Sequence, residues 1–286
     1  MTHLPGSFGG RLVVGFESRR AAEMASLIER HGGAAVSAPS LREVALEQPA
    51  AALPFAEALG AGRIDVVVLM TGVGTRGLVE AVAPVLDRSA FAAALARTTV
   101  VVRGPKPASA LRELGVTGFV TVPAPNSFRE VLGALDGLGS LAGRRVAVQE
   151  YGAPNRELAA GLEARGAEVL PVSVYRYALP EDTTPLRRAL HRIAEGEIEI
   201  ALFTSRAQVE HALIVAGEEG IEERVRARLV RGLVGSVGPV CSEALRLEGL
   251  APDVEPEHPK MGHLVKEAAA RAAEILTAKA SGDNPG

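Results

Sequence analysis

Glycine, hydroxyl and cationic residues gather directly after the apolar segments that the sequence predicts as strands. In open α/β sheets, ligands bind at the carboxyl ends of parallel strands, where backbone N–H groups at helix starts attract negative charge. We therefore predict that these residues bind a ligand with several carboxylates or phosphates; the alternative for each single cation is a solvated loop charge. The predicted binding residues are Arg19, Thr71, Gly72, Arg76, Arg103, Gly104, Lys106, Gly152, Thr204, Ser205, Arg206 and Gly238.

Metal-dependent and nucleophilic catalysis need residue spacings that this sequence lacks. The six histidines show no metal-ligand spacing, so we expect no bound metal. Ser205 is not part of a G-x-S-x-G turn and Cys241 has no basic neighbour in sequence, so neither is predicted to be a nucleophile. Cys241 is the single cysteine, which allows no internal disulfide, and it is interpreted as a small apolar side chain. An enzyme with these residues would act chiefly by binding and orienting a reactive substrate.

The segment Gly72–Gly77 matches the G-x-G-x-x-G pattern of dinucleotide-binding loops. That loop normally follows the first strand of a βαβ unit, and an acidic residue about 20 positions later binds the ribose. Here the segment follows the third predicted strand, and the next strand ends at Arg103. Its counterpart in the second half of the chain, Phe203–Ala207, keeps the threonine and has no glycine. We favour a tight, anion-tolerant turn over a dinucleotide site.

Short segments rich in Val, Ile and Leu alternate with stretches of helical spacing, the pattern of a parallel sheet covered by helices. Thr184 before Pro185 predicts a helix start with Thr184 as N-cap, and a last helix is predicted at 261–279. Residues 280–286 are predicted to be a disordered tail. The predicted strands are Leu12–Phe16, Ala35–Ala38, Val66–Met70, Val100–Arg103, Gly118–Val122, Val146–Gln149, Val169–Val174, Ile200–Phe203, Leu233–Ser236 and Asp253–Val254.

The sequence repeats itself at an offset of 134 residues. The matched positions are largely turn glycines and their neighbours, so the copies are predicted to share loop geometry as well as hydrophobic pattern. Two similar α/β units are expected, with one ligand between them, because pockets favour domain interfaces. The matched pairs are Arg11 and Arg145, Gly32 and Gly166, Arg42 and Arg176, Gly62 and Gly196, Ile64 and Ile198, Gly104 and Gly238, Pro105 and Pro239, Ala110 and Ala244, Leu111 and Leu245, Arg112 and Arg246, and Gly115 and Gly249.

The composition is typical of a soluble protein with enough apolar residues for two domain cores. The chain has 286 residues, of which 47% are hydrophobic and 23% are charged. Its formal net charge of -3 argues against a nucleic-acid-binding protein, because such proteins carry a basic face. The first ten residues lack a signal-peptide pattern, and no apolar segment is long enough to cross a bilayer. We predict a cytoplasmic protein without nucleic-acid or membrane partners.

Several segments, in this order along the chain, resemble the uroporphyrinogen-III synthase family. The resemblance extends over residues 12–273 and depends on the joint order and spacing of motifs that are weakly specific one by one. This chain has Lys106-Pro107 and Val240-Cys241 at positions where family members often carry hydroxyl residues. The segments are Thr71–Arg76, Gly104–Leu111, Leu162–Gly166, Val174–Arg176, Phe203–Ser205 and Val237–Pro239, followed by Ala244-Leu245 and Gly249.

The resemblance implies two similar parallel-sheet α/β domains of flavodoxin-like type, joined by a two-stranded β connector. In this family the chain starts domain 1, builds domain 2 and returns, so the repeat and the spatial domain are different units. Domain 1 is expected at 1–39 and 180–279, and domain 2 at 47–173. The connector strands are expected at 40–46 and 174–179, and so narrow a hinge predicts domain motion.

The family converts hydroxymethylbilane, a linear tetrapyrrole with eight carboxylates, into uroporphyrinogen III. Loss of the terminal hydroxyl gives a reactive azafulvene that closes without an enzyme to isomer I, whereas the enzyme inverts ring D through a spiro intermediate. Positioning and electrostatics perform this task, so the resemblance implies a lyase that needs no cofactor. Tyr175 matches the tyrosine implicated in departure of the hydroxyl; the alternative is a tyrosine packed on the connector strand. Tyr151 and Tyr177 are weaker candidates.

Two other functions stay open at this point. One is a ligand-sensing regulatory module of the same fold, which would carry a C-terminal winged helix where this sequence has a short polar segment. The other is an NADP-dependent oxidoreductase that uses the Gly72 loop. For the synthase, the resemblance implies a monomer in tetrapyrrole biosynthesis (haem, sirohaem, cobalamin), with hydroxymethylbilane as substrate and hydroxymethylbilane synthase as a transient partner.

Overall fold

The computed structural model describes residues 7–47, 49–150, 152 and 154–281, in which strands and helices alternate as the sequence pattern predicts. In chain order the elements are β1 (Leu12–Gly15), α1 (Ala21–Arg30), β2 (Ala34–Ser37), β3 (Arg42–Ala45), α2 (Ala52–Gly60), β4 (Val66–Leu69), α3 (Gly72–Val82), α4 (Arg88–Ala96), β5 (Thr99–Val102), α5 (Pro105–Glu113), β6 (Val120–Thr121), α6 (Phe128–Asp136), β7 (Arg145–Gln149), α7 (Arg156–Glu163), β8 (Glu168–Val172), β9 (Tyr175–Ala178), α8 (Thr184–Glu195), β10 (Ile200–Phe203), α9 (Arg206–Glu218), α10 (Glu222–Arg231), β11 (Leu233–Ser236), α11 (Pro239–Leu247) and α12 (Met261–Ser281). No helix in these ranges is long and apolar enough to cross a membrane.

The chain divides into two compact units, Met1–Arg42 with Ala178–Gly286, and Glu43–Tyr177. The first unit holds a four-stranded sheet of order β11-β10-β1-β2, and the second a five-stranded sheet of order β6-β5-β4-β7-β8. Strands β3 and β9 pair in a two-stranded sheet of their own. The predicted fold class, two parallel-sheet α/β domains with a two-stranded connector, is confirmed. The predicted limits of the domains as independently folding units stay a prediction.

In the second unit, the central strand β4 is buried on both faces. Its four residues, Val66–Leu69, are all buried. Side chains alternate along a strand, so Val67 and Leu69 pack in one core and Val66 and Val68 pack in another. Helices on both faces of a parallel sheet explain why such strands are continuous apolar segments in the sequence. The polar residues of this segment therefore begin at the carboxyl end of β4, where the buried apolar strand ends.

In the first unit, β1 and β10 pair in parallel at the centre of the sheet. Val14, Phe16 and Phe203 pack in one core, while Val13 packs in the core on the opposite face. The rings of Phe16 and Phe203 stack with their centroids 4.5 Å apart. These two aromatic side chains close the core at the carboxyl ends of the two strands, directly below the loops that are predicted to bind ligand.

The repeated glycines end equivalent helices in the two units. Gly62 and Gly196 have φ angles of 68° and 82°, and Gly115 and Gly249 have φ angles of 79° and 71°. This left-handed backbone conformation favours glycine because glycine has no Cβ atom. The prediction that the two copies share loop geometry is confirmed at these turns.

Strand β1 departs by one residue from the 134-residue offset. Leu12 of β1 pairs with Ala34, and Arg145 of β7 pairs with Glu168. Ala34 and Glu168 keep the offset, so the residue of the first copy that corresponds to Arg145 in the sheet is Leu12. The sequence match between Arg11 and Arg145 is therefore not a structural equivalence. The same shift makes Glu17 the counterpart of Glu150, an equivalence that the sequence comparison missed.

Two predicted helix ends also differ from the structure. The predicted N-cap Thr184 is instead the first residue of α8, and the cap residue Thr183 makes no side-chain cap bond. The Asp182 carboxylate accepts a hydrogen bond from the Thr184 N–H at 2.9 Å, which satisfies one of the first helical donors. The last helix continues to Ser281 rather than ending at residue 279. Residues 282–286 of the predicted tail lie outside the described residues.

Candidate active site

The residues predicted to bind ligand lie just after the carboxyl ends of parallel strands or in the first two turns of the next helix. In the second unit, Thr71, Gly72 and Arg76 follow β4, Arg103, Gly104 and Lys106 follow β5, and Gly152 follows β7. In the first unit, Arg19 follows β1, Thr204, Ser205 and Arg206 follow β10, and Gly238 follows β11. Each set shares one edge of its own sheet. The roles of these residues in binding stay a prediction.

Tyr175 is the first residue of β9 and is almost fully buried, with 4% of its surface exposed. Its hydroxyl lies 3.2 Å from Thr71 Oγ1, and its ring meets the Tyr177 ring edge to face at 5.8 Å between centroids. Burial, and secondarily the neighbouring Tyr177, raise the pKa of Tyr175 above its ordinary value. The phenol is therefore protonated at neutral pH and holds a proton beside the carboxyl end of β4.

Thr71 is the N-cap of α3 and joins this tyrosine to the start of the helix. Its Oγ1 accepts a hydrogen bond from the Gly74 N–H at 3.0 Å, and its carbonyl accepts one from the Thr75 hydroxyl at 2.8 Å. The Gln149 side-chain carbonyl accepts hydrogen bonds from the Met70 and Thr71 N–H groups, both at 3.2 Å. Gln149 comes from the neighbouring strand β7 and was missed in the sequence, since no local pattern pairs it with β4.

The glycines of the Gly72–Gly77 segment have a packing explanation within the protein. A Cβ atom at Gly72 would lie 2.8 Å from the Lys106 carbonyl oxygen, and one at Gly74 would lie 1.9 Å from Gln149 Nε2. Glycine is needed here because the first turn of α5 and a buried side-chain amide approach the backbone closely. The preference for a tight turn over a dinucleotide site therefore gains a physical reason.

Two of the five cations predicted to bind ligand, Arg76 and Arg206, lie next to acidic side chains. Arg76 forms a two-point ion pair with Glu113 of α5, with an N–O distance of 2.6 Å, and this pair holds the pKa of Arg76 above its ordinary value. Arg206 Nε is buried and lies 3.6 Å from Glu210 Oε1. Lys106 and Arg19 are exposed, and the Arg103 N–H donates to the Leu69 carbonyl at 3.0 Å. A carboxylate ligand would have to compete with Glu113 for Arg76.

Gly104 and Gly238 occupy equivalent positions, as N-caps of α5 and α11 that precede a proline in the first helical turn. A Cβ atom would lie 3.4 Å from Asn126 Cγ at Gly104 and 2.9 Å from Pro259 Cβ at Gly238. Cys241, in the first turn of α11, is buried, and burial raises the pKa of its thiol to about 11. The protonated thiol is a poor nucleophile, in agreement with its interpretation as a small apolar side chain.

Gly152 contacts the second tyrosine of β9. Its φ angle is 75°, and a Cβ atom there would lie 2.5 Å from Tyr177 ring carbons, so the glycine backbone packs directly on the ring. The Tyr177 N–H also donates to the Gly152 carbonyl at 3.4 Å. Gly152 thus supports Tyr177, which in turn contacts Tyr175. This contact gives Gly152 a structural task next to the tyrosine pair.

In the first unit, Ser205 occupies the position of Thr71. Its Oγ accepts from the Gln208 N–H at 3.4 Å as the N-cap of α9, so Ser205, and not Thr204, is the structural counterpart of Thr71. The Gln208 side chain accepts from the Thr204 N–H at 2.6 Å and donates to Thr204 Oγ1 at 2.8 Å. The Thr204 hydroxyl donates to Glu17 Oε2. Sequence reasoning missed both Glu17 and Gln208.

In each unit a glutamine side chain accepts a hydrogen bond from the backbone N–H that follows the central strand, but the two glutamines come from different elements. The N–H after β10 donates to Gln208 of the following helix, whereas the equivalent N–H after β4 donates to Gln149 of the neighbouring strand. The helix position of Gln208 is Gly74 in the second unit, and the Gln149 amide fills the space above it. Within the described ranges, no group of three or more His, Cys, Asp and Glu side chains is arranged to hold a metal ion.

Comparison with known proteins places this geometry in a family. A family model described as Uroporphyrinogen-III synthase HemD matches residues 22–266. A Bacillus subtilis protein named "Uncharacterized protein YjjA" is 30% identical over 265 residues, which cover 92% of this chain and 96% of that protein. A Methanothermobacter thermautotrophicus protein named "Putative uroporphyrinogen-III synthase" is 30% identical over 232 residues, which cover 81% of this chain and 87% of that protein.

A solved structure supports the same assignment. A crystal structure of a mutant uroporphyrinogen III synthase from the extremely thermophilic bacterium Thermus thermophilus matches with a TM-score of 0.68 and 27% sequence identity, covering 93% of this chain and 99% of that chain. The resemblance that the sequence motifs indicated is confirmed, since the family model matches most of the chain and the solved structure shares its fold. The chain therefore belongs to the uroporphyrinogen-III synthase family.

Proposed function

We propose that this protein is a cytoplasmic, cofactor-independent lyase that converts hydroxymethylbilane into uroporphyrinogen III, with inversion of ring D through a spiro intermediate. The observation that carries the proposal is the Tyr175 hydroxyl, protonated and 3.2 Å from the Thr71 N-cap at the carboxyl end of β4. This edge of the sheet is where ligands of α/β folds bind. Membership of the family supports the same assignment.

In the proposed reaction, Tyr175 acts as a general acid. Its phenolic proton passes to the terminal hydroxyl of the substrate, the C–O bond breaks, and water leaves while the pyrrole nitrogen supplies the electrons. The resulting azafulvenium ion is attacked by the substituted carbon of ring D to give the spiro intermediate. The bond from that ring D carbon to its original methylene bridge then breaks, and the freed methylene carbon bonds to the unsubstituted α carbon of ring D. This carbon loses one proton, which returns to the Tyr175 oxygen, so the enzyme is regenerated. General acid catalysis of this kind contributes about 10²–10⁴-fold.

The remaining task is to hold a flexible polyanion so that attack occurs at the substituted carbon. Helix N-termini at the strand ends supply oriented N–H groups and partial positive charge. Thr71 and Gly104 are such N-cap residues in the second unit, and Ser205 and Gly238 are their counterparts in the first. We propose that backbone groups and distributed cations at these positions bind the substrate carboxylates. A single cation then contributes modestly.

Arg76→Ala should raise KM about two- to fivefold with little change in kcat, because a half-exposed cation contributes a weak, solvent-screened ion pair. Glu113→Gln should lower KM by removing the carboxylate that competes for Arg76. Steady-state kinetics with hydroxymethylbilane measure both effects. The control is Arg165→Ala, which removes a similar ion pair with Asp136 at the far end of α7 and should leave KM unchanged. Loss of all activity in a folded Arg76→Ala protein would contradict distributed binding.

A genetic experiment tests the proposed activity in cells. A bacterial strain without its uroporphyrinogen-III synthase should regain growth without added haem when it expresses this chain. The Thermus thermophilus enzyme serves as the positive control. The Tyr175→Phe variant, expressed to the same level, should restore growth poorly. Failure of the parent chain to restore growth, although the protein is soluble and folded, would contradict the proposal.

A second candidate function, ligand sensing without catalysis, has an observation in its favour. Glu17 and Glu150 follow strands β1 and β7, and Glu255 follows the isolated bridge at Val254. Each of these carboxylates accepts a hydroxyl hydrogen bond, from Thr204, Ser173 and Ser242 respectively. Negative charge at these positions repels a substrate with eight carboxylates and favours ligands rich in N–H donors. Saturable binding of a tetrapyrrole, without any effect on the rate or isomer ratio of hydroxymethylbilane closure, would support sensing over synthesis.

A further inference from the structure

The hydroxyl of Thr71 is held in place from several sides. Its oxygen accepts from the Gly74 N–H at 3.0 Å, the Thr71 carbonyl accepts from Thr75, and the Thr71 N–H donates to buried Gln149. A side chain fixed in this way has one preferred rotamer. Its remaining hydrogen-bonding capacity is directed at Tyr175 Oη, 3.2 Å away. The tyrosine hydroxyl is thereby located by the start of helix α3.

This geometry matters at the moment when Tyr175 gives up its proton. The phenolate then needs a hydrogen-bond donor, because an unpaired charge in a buried position is costly. The Thr71 O–H can rotate to donate to the phenolate oxygen, while its own oxygen keeps the bond from the Gly74 N–H. That N–H belongs to the positive end of α3, so the helix polarises the threonine hydroxyl toward the negative charge. One hydroxyl thus links the helix terminus to the phenolate.

Other groups around Tyr175 act in the opposite direction. Tyr177 on the same strand, and Glu43 on the paired strand β3, both disfavour the phenolate, as burial does. The hydrogen bond from Thr71 is the interaction that favours it. Removal of the Thr71 hydroxyl would therefore take away the hydrogen bond that favours the phenolate and leave burial, Tyr177 and Glu43, which disfavour it.

We propose that Thr71 is a positioning residue for the proton transfer, which fixes the Tyr175 hydroxyl and stabilises the phenolate that remains when the proton leaves. The proposal rests on the proposed function of this chain. It also explains a difference between the repeats. Ser205 caps the equivalent helix in the first unit, whereas the three tyrosines of the sequence all lie in the second. Under this proposal the N-cap of α3 also positions a tyrosine hydroxyl, whereas the N-cap of α9 only caps its helix.

The test uses Thr71→Val, which keeps the side-chain shape and removes the hydroxyl. We expect kcat to fall about ten- to a hundredfold with little change in KM, because a hydrogen bond to a charged group is lost in the transition state. Thr71→Ser should restore most of the rate. In a Tyr175→Phe background, Thr71→Val should have no further effect on kcat, since there is no phenolate to stabilise. Equal losses in both backgrounds would overturn the proposal.

A matched control separates this effect from loss of a helix cap. Asp87→Ala removes the N-cap of α4 in the same unit, where the Asp87 carboxylate accepts from the Ala90 N–H at 2.8 Å. Both substitutions should lower the stability of the protein, because each removes an N-cap hydrogen bond. Asp87→Ala should nevertheless keep the parental kcat. A loss of kcat in Asp87→Ala as large as that in Thr71→Val would overturn the proposal.

A readout without substrate completes the test. Fluorotyrosine placed at position 175 has a more acidic phenol, and ¹⁹F NMR follows its ionisation. Its pKa should be higher in Thr71→Val than in the parent or in Asp87→Ala, and an unchanged pKa would overturn the proposal. If the parent lacks synthase activity while this pKa still depends on Thr71, the proposed function is wrong and the contact stands. The two failures are therefore distinguishable.

Discussion

Tyr175→Phe should slow the formation of uroporphyrinogen III about ten- to a thousandfold. The substitution removes the phenolic proton donor and keeps the aromatic ring that packs against Tyr177. As the enzymatic route slows, spontaneous closure competes, and the product should shift from isomer III toward isomer I in proportion to the lost rate. Chromatography of the oxidised porphyrins measures rate and isomer ratio in one experiment.

The control for this prediction is Thr98→Val. It removes a half-buried hydroxyl of the same unit, which donates to the Ala94 carbonyl at 3.0 Å, and it does not contact Tyr175. Rate and isomer ratio should stay at the parental values. Tyr177→Phe is not a neutral control, because Tyr177 contacts Tyr175 directly. Full rate and pure isomer III from Tyr175→Phe would make this tyrosine a packing residue of the connector strand, the alternative that its burial also fits.

Gly74→Ala should lower the free energy of unfolding of the Glu43–Tyr177 unit by about 2–4 kcal/mol. A Cβ atom there would lie 1.9 Å from Gln149 Nε2 and 2.3 Å from its Cδ. Gln149 is fully buried and pairs with the N–H groups of Met70 and Thr71, so moving it leaves both unpaired. The chain has no tryptophan and its three tyrosines lie in this unit, so tyrosine fluorescence during urea unfolding follows the correct transition.

A double-mutant cycle gives this prediction its specificity. Gln149→Ala removes the amide that the new methyl group would strike. The free energy of unfolding lost in the double variant should therefore be smaller, by at least about 1 kcal/mol, than the sum of the losses in the two single variants. Gly133→Ala in α6 is the control, because no atom lies within 4 Å of its Cβ position and alanine favours a helix. Additive losses at Gly74 and Gln149 would mean that the two residues do not share this space.

Local sequence patterns predicted the buried strands well and the edges of the sheets poorly. The apolar segment at Ile200–Phe203 is a strand inside its sheet with the predicted bounds, and the segment predicted at Val66–Met70 is an interior strand that ends one residue earlier, at Leu69. The predicted strand Gly118–Val122 shrinks to Val120–Thr121, and Asp253–Val254 reduces to an isolated bridge between Val254 and Gly235. Strands inside a sheet are fixed by burial on both faces, which the sequence displays. Edge strands depend on pairing with a single neighbouring strand, and the sequence contains no local pattern that identifies that neighbour.

The candidate site shows the same division. Thr71 and Ser205 could be predicted because a hydroxyl residue between a strand and a helix is a local N-cap signal. The partners that hold the strand ends could not, since Gln149 is 79 residues from Met70 and Glu17 is 187 residues from Thr204. Such contacts depend on which strands become neighbours. The equivalence of Glu17 and Glu150 was likewise hidden by a one-residue shift that appears only in the register of the sheets.

The most direct measurement of the central claim is isomer analysis with the purified protein. Hydroxymethylbilane, generated in the same tube by hydroxymethylbilane synthase, closes alone to uroporphyrinogen I. With this protein added, in the presence of a metal chelator and without any cofactor, the product should be almost entirely uroporphyrinogen III. A mixture with the same isomer I content as the tube without protein would contradict the proposed function.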